Sequence, residues 1–437
     1  MLFYCLKSYL SVNIENFSHP SLRAPLPRGE FSKKTKITYY IKTMRNFSFL
    51  NPTKLIFGKN TISELAKEVP QDSRVLLTYG GGSIKKNGVY ESAKKALGSR
   101  VVFEFGGIEP NPRYETCVKS LEIIKKEGIN FLLSVGGGSV LDGTKFIALA
   151  AKYNGADPWN FMCGKAKTPN EALPLASVLT LPATGSESNA NFVISRDSTQ
   201  EKFGGWSPLI YPKFSILDPE TTYTLPAKQT ANGIVDTFVH TMEQYLTYPE
   251  YAPLQDRWAE SILTTLVEQG PIIIEQPNNY DVRATLMWTA TMALNGLISR
   301  GVPEDWATHG IGHELTAFYG IDHGQSLAVV MPGLWRNQFE KKKAKLAQYG
   351  HRVWGLLSRK RGQEGHDEIA VLAIEKTEEF FESLGVPTKL SGYGVNAAEA
   401  AEKISKRFES RGLTSEQGLG ENACIGPKEI KEILESR

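Results

Sequence analysis

Two short apolar runs that end in the same four residues constrain the fold of this chain more than any other feature. Residues 75 to 79 and 131 to 135 show no polar alternation, and each run leads directly into Gly-Gly-Gly-Ser. Such runs are typical of strands that are buried on both faces of a parallel sheet. A helical pattern follows each loop, at 84 to 97 and at 139 to 152. The repeated order of strand, glycine loop and helix predicts a doubly wound parallel sheet with right-handed crossovers.

The periodicity of the chain changes after Asp218-Pro219. Before that point, further strands are predicted at 101 to 105, 175 to 180 and 214 to 217. From residue 223 onward only helical periodicity is found, at 253 to 268, 280 to 299, 306 to 318, 339 to 357, 366 to 384 and 396 to 410. The sequence therefore predicts an α/β domain over residues 44 to 222 and an all-helical domain over residues 223 to 437.

The first 43 residues differ in composition from the rest of the chain. They contain seven Lys or Arg but only two Glu, and they show no strand or helix period. We interpret residues 1 to 43 as a disordered extension, or as the result of a start codon assigned too far upstream of Met44.

Composition and charge exclude several classes of protein. With 41% apolar and 22% charged residues, the chain has the composition of an ordinary globular protein. The whole chain has a net charge of +3, and residues 1 to 43 alone have a net charge of +5. The remaining residues therefore have a net charge of −2, which gives no electrostatic support to a nucleic-acid partner. No apolar run approaches the roughly 18 residues needed to span a membrane. The four cysteines are widely spaced, which favours reduced thiols and a cytoplasmic location.

Side chains that commonly bind metal ions are concentrated in the second half of the chain. They are Asp236 and His240, followed by His309, His313 and His323. Asp236 and His240 are four residues apart, so both lie on one face of a helix. A carboxylate with two or three imidazoles, and a position left open for substrate, is typical of a catalytic metal site. Asp305 and His309 have the same spacing, so spacing alone does not decide which aspartate binds.

The two glycine loops are candidates for binding the phosphates of a nucleotide. Glycines allow a phosphate to approach the backbone, and the following helix N-terminus offers unpaired N–H groups. In parallel sheets, ligands bind beyond the carboxyl ends of the strands, where these loops lie. Neither loop matches a P-loop or the three-glycine dinucleotide pattern. A third loop, residues 180 to 188, follows another predicted strand and is rich in hydroxyl groups.

These motifs, in this order, resemble those of the iron-containing (group III) alcohol dehydrogenases. The shared motifs are Gly-Gly-Gly-Ser-x2-Asp-x2-Lys at 136 to 145, Thr-Leu-Pro-Ala-Thr-Gly-Ser-Glu at 180 to 187, Lys202 with Ser207-Pro208, Asp218-Pro219, Asp236-x3-His240-x2-Glu243, and His309-x3-His313 with His323. The resemblance covers residues 44 to 437. It is most specific to the NADPH-dependent aldehyde reductase or butanol dehydrogenase branch, through the segments TYGGGSIKK, FGGIEPNP, LDGTKF, GVPEDWATH and GHELTA.

The resemblance implies a fold, a ligand set and a cofactor site. The fold is that of dehydroquinate synthase, in which a Rossmann-like, parallel-sheet dinucleotide-binding domain precedes an all-helical metal-binding domain. One divalent ion, Fe²⁺ or Zn²⁺, is expected on Asp236, His240, His309 and His323. The resemblance and the position of the glycine loops together predict which residues bind NADPH. They are Gly80, Gly81, Gly82, Ser83, Gly137, Gly138, Ser139, Asp142, Thr180, Thr184 and Lys202.

The predicted activity is hydride transfer between NADPH and an aldehyde/primary alcohol pair. His313 is expected beside the metal and is our candidate for relaying a proton to the new alkoxide; the alternative is a histidine that only hydrogen-bonds a neighbour. We expect a small-molecule substrate and a homodimer, without nucleic-acid or membrane partners. A lyase or synthase on the same fold, which needs extra basic residues for an acidic substrate, and a non-catalytic nucleotide-binding protein are the alternative functions.

The first glycine loop predicts the choice of cofactor. An acidic residue after the first strand favours NAD, because it binds the ribose 2′-hydroxyl and repels the 2′-phosphate of NADP. Here no carboxylate occurs between the strand and Glu91. Backbone N–H groups and the Ser83 hydroxyl can instead accept a phosphate, with Lys85 and Lys86 adding charge or forming a solvated helix face. The sequence therefore predicts a preference for NADPH over NADH.

Overall fold

The computed structural model describes residues 42–248 and 250–437, which belong to one compact unit. The strands are β1 (Lys42–Thr43), β2 (Lys54–Phe57), β3 (Arg74–Thr78), β4 (Val101–Phe105), β5 (Phe131–Gly137), β6 (Leu175–Leu181), β7 (Asn191–Arg196), β8 (Glu201–Trp206), β9 (Phe214–Leu217) and β10 (Glu250–Tyr251). Most of residues 1 to 43 lie outside the described part of the chain, so our interpretation of that segment stays a prediction.

Six of the strands form one parallel sheet in the order β2-β9-β6-β5-β3-β4. All five strands predicted for this domain are present, and β6 and β9 are buried along nearly their whole length. β2 was not predicted. It is a short edge strand whose two end residues are exposed, so it lacks the continuous apolar run of the central strands.

Helices cover both faces of this sheet, as expected for a Rossmann-like domain. They are α1 (Leu65–Glu68), α2 (Ser83–Lys86), α3 (Val89–Leu97), α4 (Tyr114–Cys117), α5 (Ser120–Glu127), α6 (Gly138–Ala150) and α7 (Trp159–Met162). On one face the core includes Phe146 and Ile147 of α6, and on the other Leu97 of α3. The helix predicted over 84 to 97 is interrupted, because Gly88 adopts a φ of 84° and starts a second helix.

A hairpin of β7 and β8 was missed by the sequence analysis. The two strands pair antiparallel from Asn191 opposite Trp206 to Arg196 opposite Glu201. The hairpin lies outside the main sheet and contacts both α6 and the helix Ala307–Tyr319 of the second half, so it joins the two halves of the molecule. It also carries Lys202, one of the predicted cofactor residues.

The second half of the described chain is helical apart from β10, which pairs in parallel with β1. Its helices are α8 (Ala227–Tyr245), α9 (Pro253–Glu275), α10 (Tyr280–Ala293), α11 (Ala307–Tyr319), α12 (His323–Asn337), α13 (Phe339–Arg352), α14 (Gly362–Ser383), α15 (Ala397–Ser410) and α16 (Pro427–Glu435). α8 and α12 are almost completely buried and form the centre of the helical core. None of the helices in the described ranges is long and apolar enough to cross a bilayer.

The six helices predicted beyond residue 250 are all present, whereas α12 and α16 were not predicted. The main sheet ends at Leu217 and α8 begins at Ala227. The domain boundary that we placed between residues 222 and 223 stays a prediction. The arrangement leaves the loops after β3, β5 and β6 facing α8, α11 and α12 across a cavity.

Candidate metal and cofactor site

A cavity of about 870 Å³ separates the glycine loops from the central helices of the second half. Every residue predicted to bind the cofactor lines it, as do all four predicted metal ligands and His313. Trp306 also lines the cavity, and its ring centroid is 5.2 Å from that of His309. The structure therefore brings the two sets of residues together, although they are distant in sequence.

Asp236, His240, His309 and His323 converge at one end of this cavity. One possible ligand atom from each lies within 4.8 Å of those of the other three. The Asp236 Oδ1 atom is 3.5 Å from both His240 Nδ1 and His323 Nε2. The Nε2 atoms of His240 and His309 are 3.1 Å apart. These distances suit four groups arranged around one ion.

Local structure explains how the four side chains meet. Asp236 and His240 lie one turn apart on α8, and His309 lies in the first turn of α11. Gly320 ends α11 in the left-handed conformation, with a φ of 68°, so that α12 can start at His323. Gly324 then packs against α8 so closely that a Cβ atom there would lie 2.5 Å from the Asn232 carbonyl oxygen. This contact between α12 and α8 brings His323 to Asp236.

The chemistry of this cluster fits a divalent metal ion. Burial lowers the pKa values of His240 and His309 to about 4 and also lowers that of His323, so the three rings are neutral and retain lone pairs. Among the residues that the structure describes, the buried Asp236 Oδ1 and His240 Nδ1 atoms have no hydrogen-bond partner. Such unpaired polar atoms are costly unless something else binds them. One carboxylate and three neutral imidazoles suit Zn²⁺ and Fe²⁺ equally.

Asp305, the alternative aspartate, lies outside the cluster. Its Oδ1 atom accepts a hydrogen bond from the Ala307 backbone N–H, at 2.9 Å, at the start of α11. Its Oδ2 atom is 2.7 Å from Lys342 Nζ, in a buried ion pair that also includes Glu421. The carboxylate is therefore used for helix capping and charge pairing.

His313 lies beside the cluster without belonging to it. Its ring centroid is 5.5 Å from that of His323 and 6.0 Å from that of His309. Burial lowers its pKa well below the usual value. Its Nε2 atom is buried and has no hydrogen-bond partner within the described ranges. A neutral ring with a free nitrogen in the cavity can exchange a proton with a bound molecule.

The second glycine loop requires glycine at each position. A Cβ atom on Gly136 would lie 2.7 Å from the Cβ of Val140, and one on Gly137 would lie 2.9 Å from the Cβ of Leu181. One on Gly138 would collide with the side chain of Thr184. The loop thus packs tightly on its neighbours while its backbone lines the cavity.

Asp142 and Lys145 stabilise the hydroxyl-rich loop that faces this turn. Asp142 accepts hydrogen bonds from Ser186 Oγ at 2.7 Å and from the Val193 backbone N–H at 3.0 Å, and burial raises its pKa to about 6. Lys145 Nζ donates to the backbone oxygens of Ser186 at 2.7 Å and Asn191 at 2.8 Å, and burial lowers its pKa to about 8. These contacts of Lys145 were not predicted, because its acceptors lie more than 40 residues away.

Lys202 extends from the hairpin to a position between the glycine loops and the cluster of Asp236 and three histidines. Its Nζ atom donates to Asn111 Oδ1 at 2.8 Å and lies 3.5 Å from His323 Nδ1. Burial lowers its pKa to about 8. Asn111 was not predicted, although it lies between two prolines and has a φ of 57°, and it lines the cavity.

Lys85 does not supply a free charge to the first glycine loop. Its Nζ atom is 2.8 Å from Glu104 Oε2 and lies over the rings of Tyr79 and Tyr90. The loop itself carries no carboxylate, and Gly81 has open space around its Cβ position. The predicted preference for NADPH therefore depends on the backbone N–H groups of the loop and on the Ser83 hydroxyl rather than on Lys85.

Comparisons with known proteins match both halves of the chain to one family. Residues 52–219 match the model described as iron-containing alcohol dehydrogenase, and residues 230–436 match the C-terminal model of that family. The NADPH-dependent aldehyde reductase YqhD of Escherichia coli is 52% identical over 395 residues, which is 90% of this chain and 100% of the relative. The probable NADH-dependent butanol dehydrogenase 1 of Bacillus subtilis is 45% identical over 90% of this chain and 100% of the relative.

A solved structure agrees with these matches. The crystal structure of E. coli YqhD is 51% identical and superposes with a TM-score of 0.86, covering 90% of this chain and 99% of that one. The curated relatives differ in the nicotinamide cofactor that they are named for, so the residues of this chain must decide between NADPH and NADH.

Proposed function

Because the chain belongs to the iron-containing alcohol dehydrogenase family and is a metal-dependent oxidoreductase of aldehydes and alcohols, we propose that it transfers hydride from NADPH to an aldehyde. The observation that carries this proposal is the single cavity in which the glycine loops face the cluster of Asp236 and three histidines. Iron and zinc both remain candidates for the metal. The test is an NADPH and NADH oxidation assay over a panel of aldehydes, performed with protein of known metal content.

When bound, a divalent ion would provide a Lewis acid for the substrate oxygen, and the nicotinamide would provide the hydride. Asp236, His240, His309 and His323 are the residues that would hold the ion. The loops at Gly80 to Ser83 and Gly136 to Ser139 would bind the phosphates of the dinucleotide through backbone N–H groups. Lys202 lies between the two sets and is positioned by Asn111.

His313 and Trp306 would act on the substrate itself. His313 presents a free ring nitrogen, and its neutral ring can relay a proton to the new alkoxide by taking one proton from solvent on one nitrogen while it passes another on from the second, directly or through a water molecule or a ribose hydroxyl. Trp306 flanks His240 and His309, with its ring centroid 6.1 Å and 5.2 Å from theirs, and its indole N–H donates a hydrogen bond to Glu304 at 2.7 Å. Trp159, in contrast, is buried in the core against Tyr114.

His313→Ala is expected to keep the metal and slow the reaction. General acid catalysis typically contributes about a hundredfold or more, so we expect kcat for aldehyde reduction to fall by about that factor. The exposed His366 on α14 provides a matched control, since His366→Ala should leave kcat unchanged. Steady-state kinetics and metal analysis of both variants check this. Loss of metal from His313→Ala would show that His313 belongs to the ligand set.

The lining of the cavity weighs against the lyase or synthase alternative. Among the described lining residues, Lys202 is the only Lys or Arg, whereas Asp142, Asp236, Glu304 and Asp322 contribute carboxylates. An acidic substrate would therefore meet little positive charge beyond that of the metal. A neutral aldehyde has no such requirement.

We also propose that residues 1 to 43 are dispensable. Starting the chain at Met44 removes β1, whose pairing in the described part of the chain is with Glu250 and Tyr251, outside the main sheet. The shortened protein should match the full chain in specific activity and solubility. A large loss of either would show that the segment contributes to the fold or the site.

A homodimer and a cytoplasmic location complete the proposal. The homodimer follows from the family resemblance and is tested by sedimentation. The location is supported by Cys117, Cys163 and Cys424, which are free thiols in the described part of the chain.

A further inference from the structure

We propose that Glu243 is a positioning residue that orients His309 toward the metal and fixes its ring tautomer, an inference that rests on the proposed metal site. Glu243 lies on α8, seven residues after Asp236, and its side chain is only 4% exposed. It is part of the Asp-x3-His-x2-Glu motif, yet it lies outside the four-residue cluster. One helix would thus supply two ligands and the group that orients a third.

Two contacts join the Glu243 carboxylate to His309. The Oε1 atom accepts a hydrogen bond from the His309 backbone N–H at 3.1 Å. The Oε2 atom contacts the His309 Nδ1 atom. The Nε2 atom must offer its lone pair if His309 binds the ion, so the Nδ1 atom carries the ring proton and donates it to Oε2. The lone pair is then on Nε2, which lies 3.1 Å from His240 Nε2 and faces the cluster.

The position of Glu243 is fixed by the backbone as well. Its carbonyl oxygen accepts a hydrogen bond from the Asp305 N–H at 2.7 Å, and Asp305 caps the start of α11 through Ala307. Both the main chain and the side chain of Glu243 therefore hold the first turn of the helix that carries His309. This double attachment leaves the imidazole little freedom to turn.

The burial of Glu243 also needs an explanation. Among the described residues, no Lys or Arg forms an ion pair with this carboxyl group, and burial raises its pKa well above the usual value. Leaving such a group buried without partners is strongly unfavourable. Its two contacts with His309 provide those partners. Carboxylates that bind the second nitrogen of a ligand histidine make the ring more basic, and their removal typically weakens metal binding 10- to 100-fold.

Metal release from Glu243→Gln tests the inference. The full chain is loaded with Zn²⁺, and the transfer of zinc to an excess of a chromogenic chelator is followed with time. We expect release about 10- to 100-fold faster than from the wild-type chain, because glutamine keeps the size of the side chain but has one accepting oxygen for the two N–H groups of His309. Glu314→Gln is the matched control, since Glu314 is a buried glutamate of α11 that pairs with Arg411 instead. Equal release rates for Glu243→Gln and the wild-type chain would overturn the proposal.

A measurement on the wild-type protein covers the case in which Glu243→Gln does not fold. In zinc-loaded protein with ¹⁵N-labelled histidine, the His309 ring, assigned by comparison with His309→Gln, should carry its proton on Nδ1. A proton on Nε2 would overturn the proposal. Neither experiment uses an aldehyde, so a chain that binds zinc in this way but reduces no aldehyde would contradict the proposed function and leave the role of Glu243 supported.

Discussion

His323→Ala is expected to lower aldehyde turnover at least about a thousandfold and to remove most of the bound metal. His323 Nε2 lies 3.5 Å from Asp236 Oδ1, and the ion would keep only three protein ligands without it. Loss of a Lewis acid that stabilises developing charge on oxygen is worth several kcal/mol, and each 1.4 kcal/mol is about a factor of ten in rate. His309→Ala should have a similar effect. Turnover and elemental analysis are measured on the same preparations.

The fold should survive these substitutions. His323 is the first residue of α12, whose packing depends on the buried residues from Leu327 to Trp335. The circular dichroism spectrum should therefore match that of the wild-type protein. His351→Ala, at an exposed position on α13, is the control for histidine removal in general. Full activity with one ion per chain in His323→Ala would show that this residue is not a ligand.

Gly81→Asp is expected to reduce the preference for NADPH over NADH. The preference itself is predicted from the absence of a carboxylate in the first glycine loop, where the 2′-phosphate would bind the backbone and Ser83. Two like charges at about 4 Å repel by roughly 1 kcal/mol in water and about 4 kcal/mol near a protein surface. The ratio of kcat/KM for NADPH to that for NADH should therefore fall at least about fivefold.

Gly81 is the better position for this test because a Cβ atom there meets nothing within 4 Å. Gly82 has a φ of 88°, so any side chain there would also strain the backbone. Gly81→Asn is the control, since it has nearly the same shape without the charge, and it should retain most of the preference. If the unmodified protein used NADH as well as NADPH, our interpretation of the loop would be wrong, though the metal site would be unaffected.

The central sheet could be predicted because its strands are buried on both faces. The runs in β3, β5, β6 and β9 are largely apolar without regular polar alternation, and that pattern is visible in one sequence. The α12 helix also contains an apolar run, Leu327 to Met331, but that run shows no helical period. It is buried on all sides and contains Pro332, so neither amphipathic periodicity nor helix propensity marks it.

The candidate site was predictable where its residues are close in sequence. Asp236 and His240 share a helix face by their spacing, and the helix predicted over residues 306 to 318 matches α11 closely. The partners of Glu243 and Asp305 were not predictable from spacing. His309 lies 66 residues after Glu243, and Lys342 lies 37 residues after Asp305. Spacing could therefore not show that Asp305 forms an ion pair, and only the resemblance favoured Asp236.

The most direct test of the account combines metal analysis with cofactor oxidation. The protein is purified without added metal, its metal content is determined, and the oxidation of NADPH and NADH is followed with a panel of aldehydes before and after treatment with a chelator. We expect about one divalent ion per chain. We also expect aldehyde-dependent oxidation of NADPH that is lost when the ion is removed and restored when the ion is added back. Undiminished aldehyde reduction by fully metal-free protein, or no reduction of any aldehyde by metal-loaded protein, would contradict it.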